Sequence, residues 1–207
     1  MNSDASKAAK DQLQTSLEGV EKSPGSSSSA DWTEGSLSSL MAHIVEKHHA
    51  YCRQELDRVE QLLQTTVRAH GDRHPELRRV QTLFAKLSSD LKQHLIKEEQ
   101  TLFPMIARME EAHSRKAALP RLPFGTIAHP IRMMVLEHDV GGKELEEIRK
   151  LSSGYTVPPD GSESYQVLYG KLKEFEEDMQ RHVYLEDHQL FPRAVSLEQA
   201  NMGNSGS

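Results

Sequence analysis

One pattern of eleven residues occurs twice in this chain. The first copy is HLIKEEQTLFP at residues 94–104, and the second is HVYLEDHQLFP at residues 182–192. In each copy a glutamate stands four residues after the histidine, and the triplet Leu-Phe-Pro ends the pattern. Residues four apart lie on one face of a helix, so each copy presents its His and Glu together. The repeat predicts that two similar halves build one site.

Apolar residues recur at steps of three or four through both copies and through two further segments, which is the period of an amphipathic helix. Turn-forming residues interrupt this period at 70–75, 118–125 and 152–162. Four helical segments with short connections predict an all-α protein, an up-down four-helix bundle. The predicted core-facing stripes are His49, Cys52, Leu56, Val59 and Leu63; Leu77, Val80, Phe84, Leu87, Leu91, His94, Glu98 and Leu102; Ile131, Met134, His138, Leu145 and Ile148; and Leu168, Leu172, Phe175, Met179, His182, Glu186 and Leu190.

The charge and hydropathy of the chain limit its partners. The formal net charge is -6 and the two signs are interspersed, so we expect no basic face and no nucleic-acid partner. No apolar run approaches the roughly 20 residues of a membrane span, and the first residues lack the apolar core of a signal peptide. We therefore expect a cytoplasmic protein with no membrane partner.

The two ends of the chain differ in composition from its middle. Residues 1–35 contain the run KSPGSSSSA and too few apolar side chains to offset the entropy of ordering. The last residues, NMGNSGS, have the same character. We predict a disordered Ser-rich tail at 1–35, a four-helix domain at 36–197 and a flexible C-terminal tail at 198–207.

Histidines and glutamates occupy core-facing positions of the predicted stripes, and the four histidines recur at intervals of 44 or 45 residues. An unpaired ion in such a core costs several kcal/mol, so these groups need partners. A pair of cations supplies them, and imidazole with carboxylate suits iron, manganese or zinc. We predict that each metal binds two histidines and that both metals share two carboxylates. The six predicted ligands are His49, His94, Glu98, His138, His182 and Glu186.

The ligand count leaves two kinds of metal centre open. With a bridging oxo or hydroxo group, two nitrogens and two carboxylate oxygens make each iron five-coordinate, which leaves a position for O2 or NO. Without that bridge the same ligands suit four-coordinate zinc in a closed structural site. The single cysteine, Cys52, rules out an internal disulfide and a zinc site built on paired cysteines.

The runs HLIKEEQTLFPMI, PIRMMVLEHD and HVYLEDHQLFPRA resemble the hemerythrin-like di-iron domain of the repair-of-iron-centres (RIC) proteins, also described as iron–sulfur cluster repair proteins. The resemblance extends over residues 31–194. It implies a hemerythrin-like bundle with two non-haem iron ions, bridged by an oxo or hydroxo group and by carboxylates. Position by position, the family's iron ligands fall on His49, His94, His138 and His182, and its bridging carboxylates fall on Glu98 and Glu186.

The resemblance also implies a role in the response to nitrosative and oxidative stress. Proteins of this family aid the repair of damaged iron–sulfur clusters, with iron donation and NO or O2 chemistry as proposed means and iron–sulfur proteins as clients. The chain departs from the family in two places. The family's usual N-terminal cysteine pair has no counterpart in the Ser-rich region, and Cys52 stands where a histidine often follows the first ligand.

Two other functions remain as alternatives. One is a hemerythrin-type carrier or sensor that binds O2 or NO reversibly; oxygen-carrying hemerythrins have a fifth histidine ligand, whereas these stripes hold four. The other is a zinc-filled or metal-free bundle that serves as an interaction scaffold. The first alternative requires a stable oxygenated spectrum, and the second requires stability that is indifferent to chelation.

Residues beside the six candidate ligands have expected roles as well. Asp90, one turn before His94, and Glu137, next to His138, are candidates to accept hydrogen bonds from metal-bound imidazoles. Cys52 lies on its stripe, so we expect a small buried apolar group rather than a reactive thiolate.

The Leu-Phe-Pro triplets and the remaining histidines complete these expectations. Leu and Phe should close the end of the bundle, and Pro104 and Pro192 should end their helices, since proline lacks an N–H and clashes with the preceding turn. His48 is expected at the surface or beside the ligands, and His129 is expected to cap a helix. Five histidines are expected to be solvated: His43, His70, His74, His113 and His188.

Overall fold

The computed structural model describes Trp32 and residues 35–204, with side chains through Asn201. The chain divides after Trp32, and every element below belongs to the unit Thr33–Ser207. The predicted disordered tail, residues 1–35, falls almost entirely outside the described residues. No helix in the described part of the chain has the length and apolar character that crossing a bilayer requires.

The described residues form four long helices and no strands, which confirms the predicted all-α bundle. Three of the four helices combine α-helical segments with a π-helical segment, in which the turn is wider by one residue. The elements are α1 (Leu37–His43), π1 (Ile44–His49) and α2 (Ala50–His70) in the first helix; α3 (Glu76–Lys97), π2 (Glu98–Leu102) and α4 (Phe103–Ser114) in the second; α5 (Ala128–Leu151) in the third; and α6 (Glu163–Leu185), π3 (Glu186–Leu190) and α7 (Phe191–Asn204) in the fourth.

The helices bury the stripes that the sequence predicts. The first helix packs against the second and the fourth, and the second packs against the third. Every residue of the four predicted stripes is buried, and Phe84 and Phe175 meet edge to face in the core at 5.6 Å between ring centroids. Each fully buried Leu, Ile or Phe contributes about 1.5–3 kcal/mol, so the stripes supply most of the drive to fold.

The expectation that Pro104 and Pro192 end their helices is wrong. Both prolines lie in the first turn of an α-helix that continues directly from a π-helical segment. The N–H of Phe103 donates to the carbonyl of Glu98, five residues back, and Phe191 donates in the same way to Glu186. The wider turn relieves the clash that a proline ring makes with the carbonyl four residues before it. The second and fourth helices therefore continue past the prolines.

The continued helices hold the first turns of their neighbours. Glu110 of α4 accepts hydrogen bonds from the backbone N–H groups of Leu37 and Ser38 at 2.6 and 2.9 Å. Glu198 of α7 accepts from the N–H of Ile127 at 3.0 Å and from the Thr126 hydroxyl at 2.6 Å. Each carboxylate thus caps the N-terminus of another helix, where unpaired N–H groups favour a negative charge.

The C-terminal contacts also place the end of the domain. The α7 helix runs to Asn204, and Glu198 is only 4% exposed. The helical domain therefore extends past the predicted boundary at residue 197, and the predicted flexible tail of 198–207 begins inside a helix that packs on its neighbour.

Candidate metal centre

Four histidines, one from each helix, turn their Nε2 atoms toward the middle of the bundle. His49 ends π1, His138 lies in α5, and His94 and His182 lie one turn before π2 and π3. The Nε2 atoms of His49 and His182 are 3.1 Å apart, and those of His94 and His138 are also 3.1 Å apart. The histidines therefore form two pairs, one between the first and fourth helices and one between the second and third.

Two carboxylates lie between the histidine pairs, and each reaches both of them. Glu98 places one oxygen 3.3 Å from His94 Nε2 and the other 3.5 Å from His49 Nε2. Glu186 places one oxygen 3.0 Å from His182 Nε2 and the other 3.2 Å from His138 Nε2. Both glutamate side chains are 0% exposed. The structure thus brings all six predicted ligands together.

Most of the buried carboxylate oxygens accept no hydrogen bond within the described part of the chain, although each lies within 3.5 Å of an imidazole nitrogen. Both oxygens of Glu98 and one of Glu186 accept no hydrogen bond from the described residues. Metal–ligand bonds of about 2.0–2.2 Å place two ligands of one metal roughly 3 Å apart, which is the spacing observed here. Ligand atoms within 4.8 Å of one another form two sets that could each hold a cation: His49, Glu98, His182 and Glu186; and His94, Glu98, His138 and Glu186.

Comparison with known proteins agrees with this arrangement. Residues 40–194 match the family described as the hemerythrin HHE cation binding domain. The chain belongs to this family. The matched segment spans all four helices and contains all six of the converging residues.

Curated relatives of this hemerythrin-family chain carry the name that the sequence resemblance indicates. A probable iron-sulfur cluster repair protein of Haemophilus influenzae is 32% identical over 185 residues, which are 89% of this chain and 77% of the relative. The iron-sulfur cluster repair protein YtfE of Pectobacterium atrosepticum is 31% identical over 91% of this chain and 78% of its own length. The YtfE protein of Yersinia pseudotuberculosis is 30% identical over the same shares.

Carboxylates on the outer side of the hemerythrin-type cluster orient three of the four imidazoles. The Nδ1 atoms of His49, His94 and His138 donate to three different carboxylates. A carboxylate at this nitrogen fixes the ring and makes the other nitrogen a better metal ligand. The pairs are His49 with Glu99 at 2.7 Å, His94 with Glu137 at 2.9 Å and His138 with Asp187 at 2.9 Å.

The sequence predicted one of these three acceptors and missed two. Glu137 was predicted, and it accepts from His94 across the helix interface and also pairs with Lys97. The expectation for Asp90 is wrong, because Asp90 pairs with Lys86 on the exposed face of α3 at 3.0 Å. A signal for the missed pair was available.

Glu99 and Asp187 are the two missed acceptors, and each follows a bridging candidate directly. They stand 88 residues apart, the same interval that separates Glu98 from Glu186. The second acidic residue is therefore part of the repeated pattern, and its repetition could have identified it.

The cluster of charges shifts the pKa values of its members. Burial alone would lower the pKa of His138, but its contacts with Asp187 and Glu186 outweigh burial and raise that pKa to about 10. The pKa values of His49 and His94 are also raised, because burial lowers them less than the nearby carboxylates raise them. Burial would raise the pKa of Glu186, yet the neighbouring imidazoles hold it well below its usual range. Without a cation, protons on the imidazoles therefore compensate the negative charge of the carboxylates. A metal that binds the imidazoles displaces these protons.

Aromatic rings from the repeated triplets pack against the histidines. Phe103 stacks on His49 with 5.7 Å between ring centroids, and Phe191 stacks on His138 with 6.0 Å. Both phenylalanines are buried. The phenylalanines of the two Leu-Phe-Pro triplets thus each cover one face of a histidine, His49 or His138, and both lie within helices that continue past the triplet.

The histidines outside the two candidate ligand sets have varied surroundings. His48 is buried beside the ligands, in agreement with one of its two predicted positions, whereas His70 is buried at the opposite end of α2 and not solvated as predicted. Its Nε2 lies 2.8 Å from the Ser162 hydroxyl. His74 is half-buried between Glu76 and Asp160 and is likewise not freely solvated. His129 Nδ1 donates to the carbonyl of Phe124 just before α5 begins, which agrees with a role at the helix start.

Cys52 is a buried neighbour of the cluster. Its thiol is 4.0 Å from the sulfur of Met179, and burial raises its pKa to about 12. At neutral pH the group is a thiol and not a thiolate, so it lacks the nucleophile that redox chemistry requires. The structure agrees with the expected apolar role.

Proposed function

We propose that this chain is a non-haem di-iron protein that aids the repair of damaged iron–sulfur clusters under nitrosative and oxidative stress. In this proposal the dinuclear site acts by iron donation or by NO or O2 chemistry, and its clients are iron–sulfur proteins. The proposed iron ligands are His49, His94, His138 and His182, and the proposed bridging carboxylates are Glu98 and Glu186.

One observation carries the proposal. Two fully buried carboxylates lie between two pairs of imidazoles, and three of their four oxygens accept no hydrogen bond. Buried carboxylates with so few hydrogen bonds are strongly unfavourable unless positive charge lies beside them, so the site is built for positive charge at two adjacent points. The names of the curated relatives support iron as that charge and cluster repair as its use.

Two iron ions, when bound, supply one-electron redox change and coordination positions for O2 or NO. The protein contributes the surroundings. The four imidazoles and two carboxylates hold the metals, Glu99, Glu137 and Asp187 orient three imidazoles, and Phe103 and Phe191 keep bulk water from two of them. The orienting carboxylates are 20–34% exposed, so they connect the buried imidazoles to solvent and give the protons that metal binding displaces a path out of the core.

Metal content tests the centre directly. Protein made in iron-supplemented medium is analysed for metals, and a visible spectrum and a Mössbauer spectrum are taken from the same sample. We expect two irons per chain that change between the ferrous and ferric states. Zinc, or no metal, in a folded protein that iron cannot reload would contradict the proposal.

A second experiment tests cluster repair. The iron-loaded chain is incubated without oxygen with a dehydratase whose iron–sulfur cluster NO has damaged, beside an equal amount of free ferrous iron. We expect faster recovery with the loaded chain than with free iron, and no such gain with Glu186→Gln. The variant His188→Ala is the matched control, because His188 lies in π3 but is exposed and outside the cluster. A loaded chain that binds O2 reversibly and restores no activity would instead support a carrier or sensor.

A further inference from the structure

The four candidate imidazole ligands do not all have the same partner at Nδ1. Three of them donate from Nδ1 to a carboxylate, as described above. His182 has no hydrogen-bond partner at Nδ1 among the described residues, although its side chain is only 1% exposed. One of the two histidine pairs, His94 with His138, therefore has two orienting carboxylates, and the pair His49 with His182 has one.

A histidine occupies the position from which a carboxylate would serve His182. His48 directly precedes His49, and Glu137 directly precedes His138. His48 and Glu137 are 89 residues apart, as are His49 and His138, so they are equivalent positions of the two halves. Glu137 accepts from His94, whereas the ring of His48 lies parallel to that of His182, with centroids 5.5 Å apart and planes within 4°. A ring stack in one half thus replaces a hydrogen bond in the other.

Asp178 holds His48 in this orientation. The Nδ1 atom of His48 donates to the two carboxylate oxygens of Asp178 at 3.1 and 3.2 Å. Asp178 lies one turn before His182 on α6, so this contact of His48 joins the first helix to the fourth. The side chain of His48 is 9% exposed and that of Asp178 is 15% exposed, so the pair is shielded from water.

A stack and a carboxylate act differently on a metal-bound imidazole. A carboxylate acceptor fixes both the ring and its tautomer and raises the basicity of the nitrogen that binds the metal. A stacked ring fixes only the plane of its neighbour. His182 is therefore oriented by the stack and lacks, within the described chain, the carboxylate acceptor that the other three imidazoles have.

We propose that His48, held by Asp178, is a positioning residue for His182, and that this arrangement makes the metal position of His49 and His182 the weaker of the two. The inference rests on the proposed two-metal centre. It adds that the two positions are inequivalent and names the residues that make them so.

Stepwise binding of ferrous iron under anaerobic conditions, in competition with a chelator, tests the inference. In His48→Leu the ring is lost, and we expect one of the two binding steps to weaken about tenfold while the other stays unchanged. His48→Phe keeps a ring in the same place and should restore the weaker step to within about threefold of wild type, because the stack and not a polar contact of His48 reaches His182.

Matched variants separate this role from general damage. Asp178→Asn keeps the ring of His48 but weakens its hold, so it should weaken the same step less than His48→Leu does, whereas Asp90→Asn, at the repeat-related position 88 residues earlier, should leave both steps unchanged. Equal binding by His48→Leu and wild type would overturn the inference, as would equal weakening of both steps. A wild-type chain that binds fewer than two irons would instead overturn the proposed centre.

His48→Glu gives the sharpest comparison, because it places in the first helix the residue that precedes His138 in the third. A carboxylate there can accept from Nδ1 of His182. We expect the weaker step to strengthen about tenfold and the two iron signals in the Mössbauer spectrum to move closer together. If this variant does not fold, the contrast between His48→Leu and His48→Phe still decides.

Discussion

Each half of the bundle has an acidic residue and a phenylalanine against one of its histidines, but the halves differ in how His94 and His182 are held. His49 is oriented by Glu99 and stacked by Phe103. In the other half, His138 is oriented by Asp187 and stacked by Phe191. The caps at the helix starts also repeat, since Glu110 and Glu198 are 88 residues apart. The shared features are therefore those that fix the positions of the ligand-bearing helices.

The differences lie on the His49 side of the cluster. There the first helix passes through a π-helical segment that ends at His49, whereas His138 lies in a regular α-helix. Cys52 in the first helix corresponds to Gly141 in the third, at an interval of 89 residues. A doubled sequence thus builds two similar sets of candidate ligands with unequal surroundings, so in the proposed centre the two metals would have different environments.

The largest expected effect comes from removing what the two halves share. Glu186→Gln replaces a carboxylate that lies beside both histidine pairs, so we expect the iron content to fall from two per chain to less than one. His94→Ala removes a ligand from one pair only and should leave about one iron per chain. Elemental analysis of the purified variants measures both. Loss of a single iron in Glu186→Gln would show that the carboxylate serves one metal and would break the comparison.

The six candidate ligands could be singled out from the sequence because their core-facing positions follow from the helical period alone. The stripe that ends in His94 and Glu98 has steps of three or four residues throughout. Because the apolar residues of this stripe are buried, His94 and Glu98 must face the core as well. No partner has to be known to place them. The repeat then indicates that the second set meets the first.

The orienting residues could not be predicted in this way, because they depend on how the helices pack. Glu137 is next to His138, but adjacent residues on a helix point about 100° apart, so its carboxylate reaches His94 on another helix. The helix beyond Pro104 was missed for a related reason. The local rule for proline predicts a stop, whereas burial of Ile106 and Met109 against neighbouring helices stabilises the continuation.

A smaller effect is expected from the repeated orienting carboxylates. Asp187→Asn leaves Nδ1 of His138 with a weaker acceptor, and the affinity of the position that His138 shares with His94 should fall by about 10- to 100-fold. Glu99→Gln should do the same to the His49 position. Chelator competition with ferrous iron resolves the two steps. If either variant weakens both steps equally, the carboxylates act on the whole cluster and the halves are not independent.

The caps at the helix starts should differ in strength although their positions repeat. Glu198→Ala leaves the buried N–H of Ile127 without its acceptor, so we expect a loss of about 2 kcal/mol in the free energy of unfolding. Glu110→Ala leaves N–H groups that lie nearer to water, which can replace the lost acceptor. The expected loss in the free energy of unfolding is therefore about 1 kcal/mol. Urea unfolding of the metal-free variants measures both. A larger loss in Glu110→Ala would reverse the order that burial predicts.

The smallest effects should come from giving both halves alanine where they hold Cys52 and Gly141. Cys52→Ala removes a buried sulfur that contacts Met179, so we expect a loss of about 1 kcal/mol of stability.

Gly141→Ala adds a methyl group whose nearest neighbour outside its own helix is Leu87 Cδ1 at 3.5 Å, an ordinary contact, and alanine is the better helix former. Stability should therefore rise by about 0.5–1 kcal/mol. Both are measured by urea unfolding, and iron content should stay at two per chain in each, because neither side chain belongs to the candidate ligand sets. A loss of iron in Cys52→Ala alone would assign the thiol a role at the metals, and the inequality of the halves would then extend to the ligands themselves.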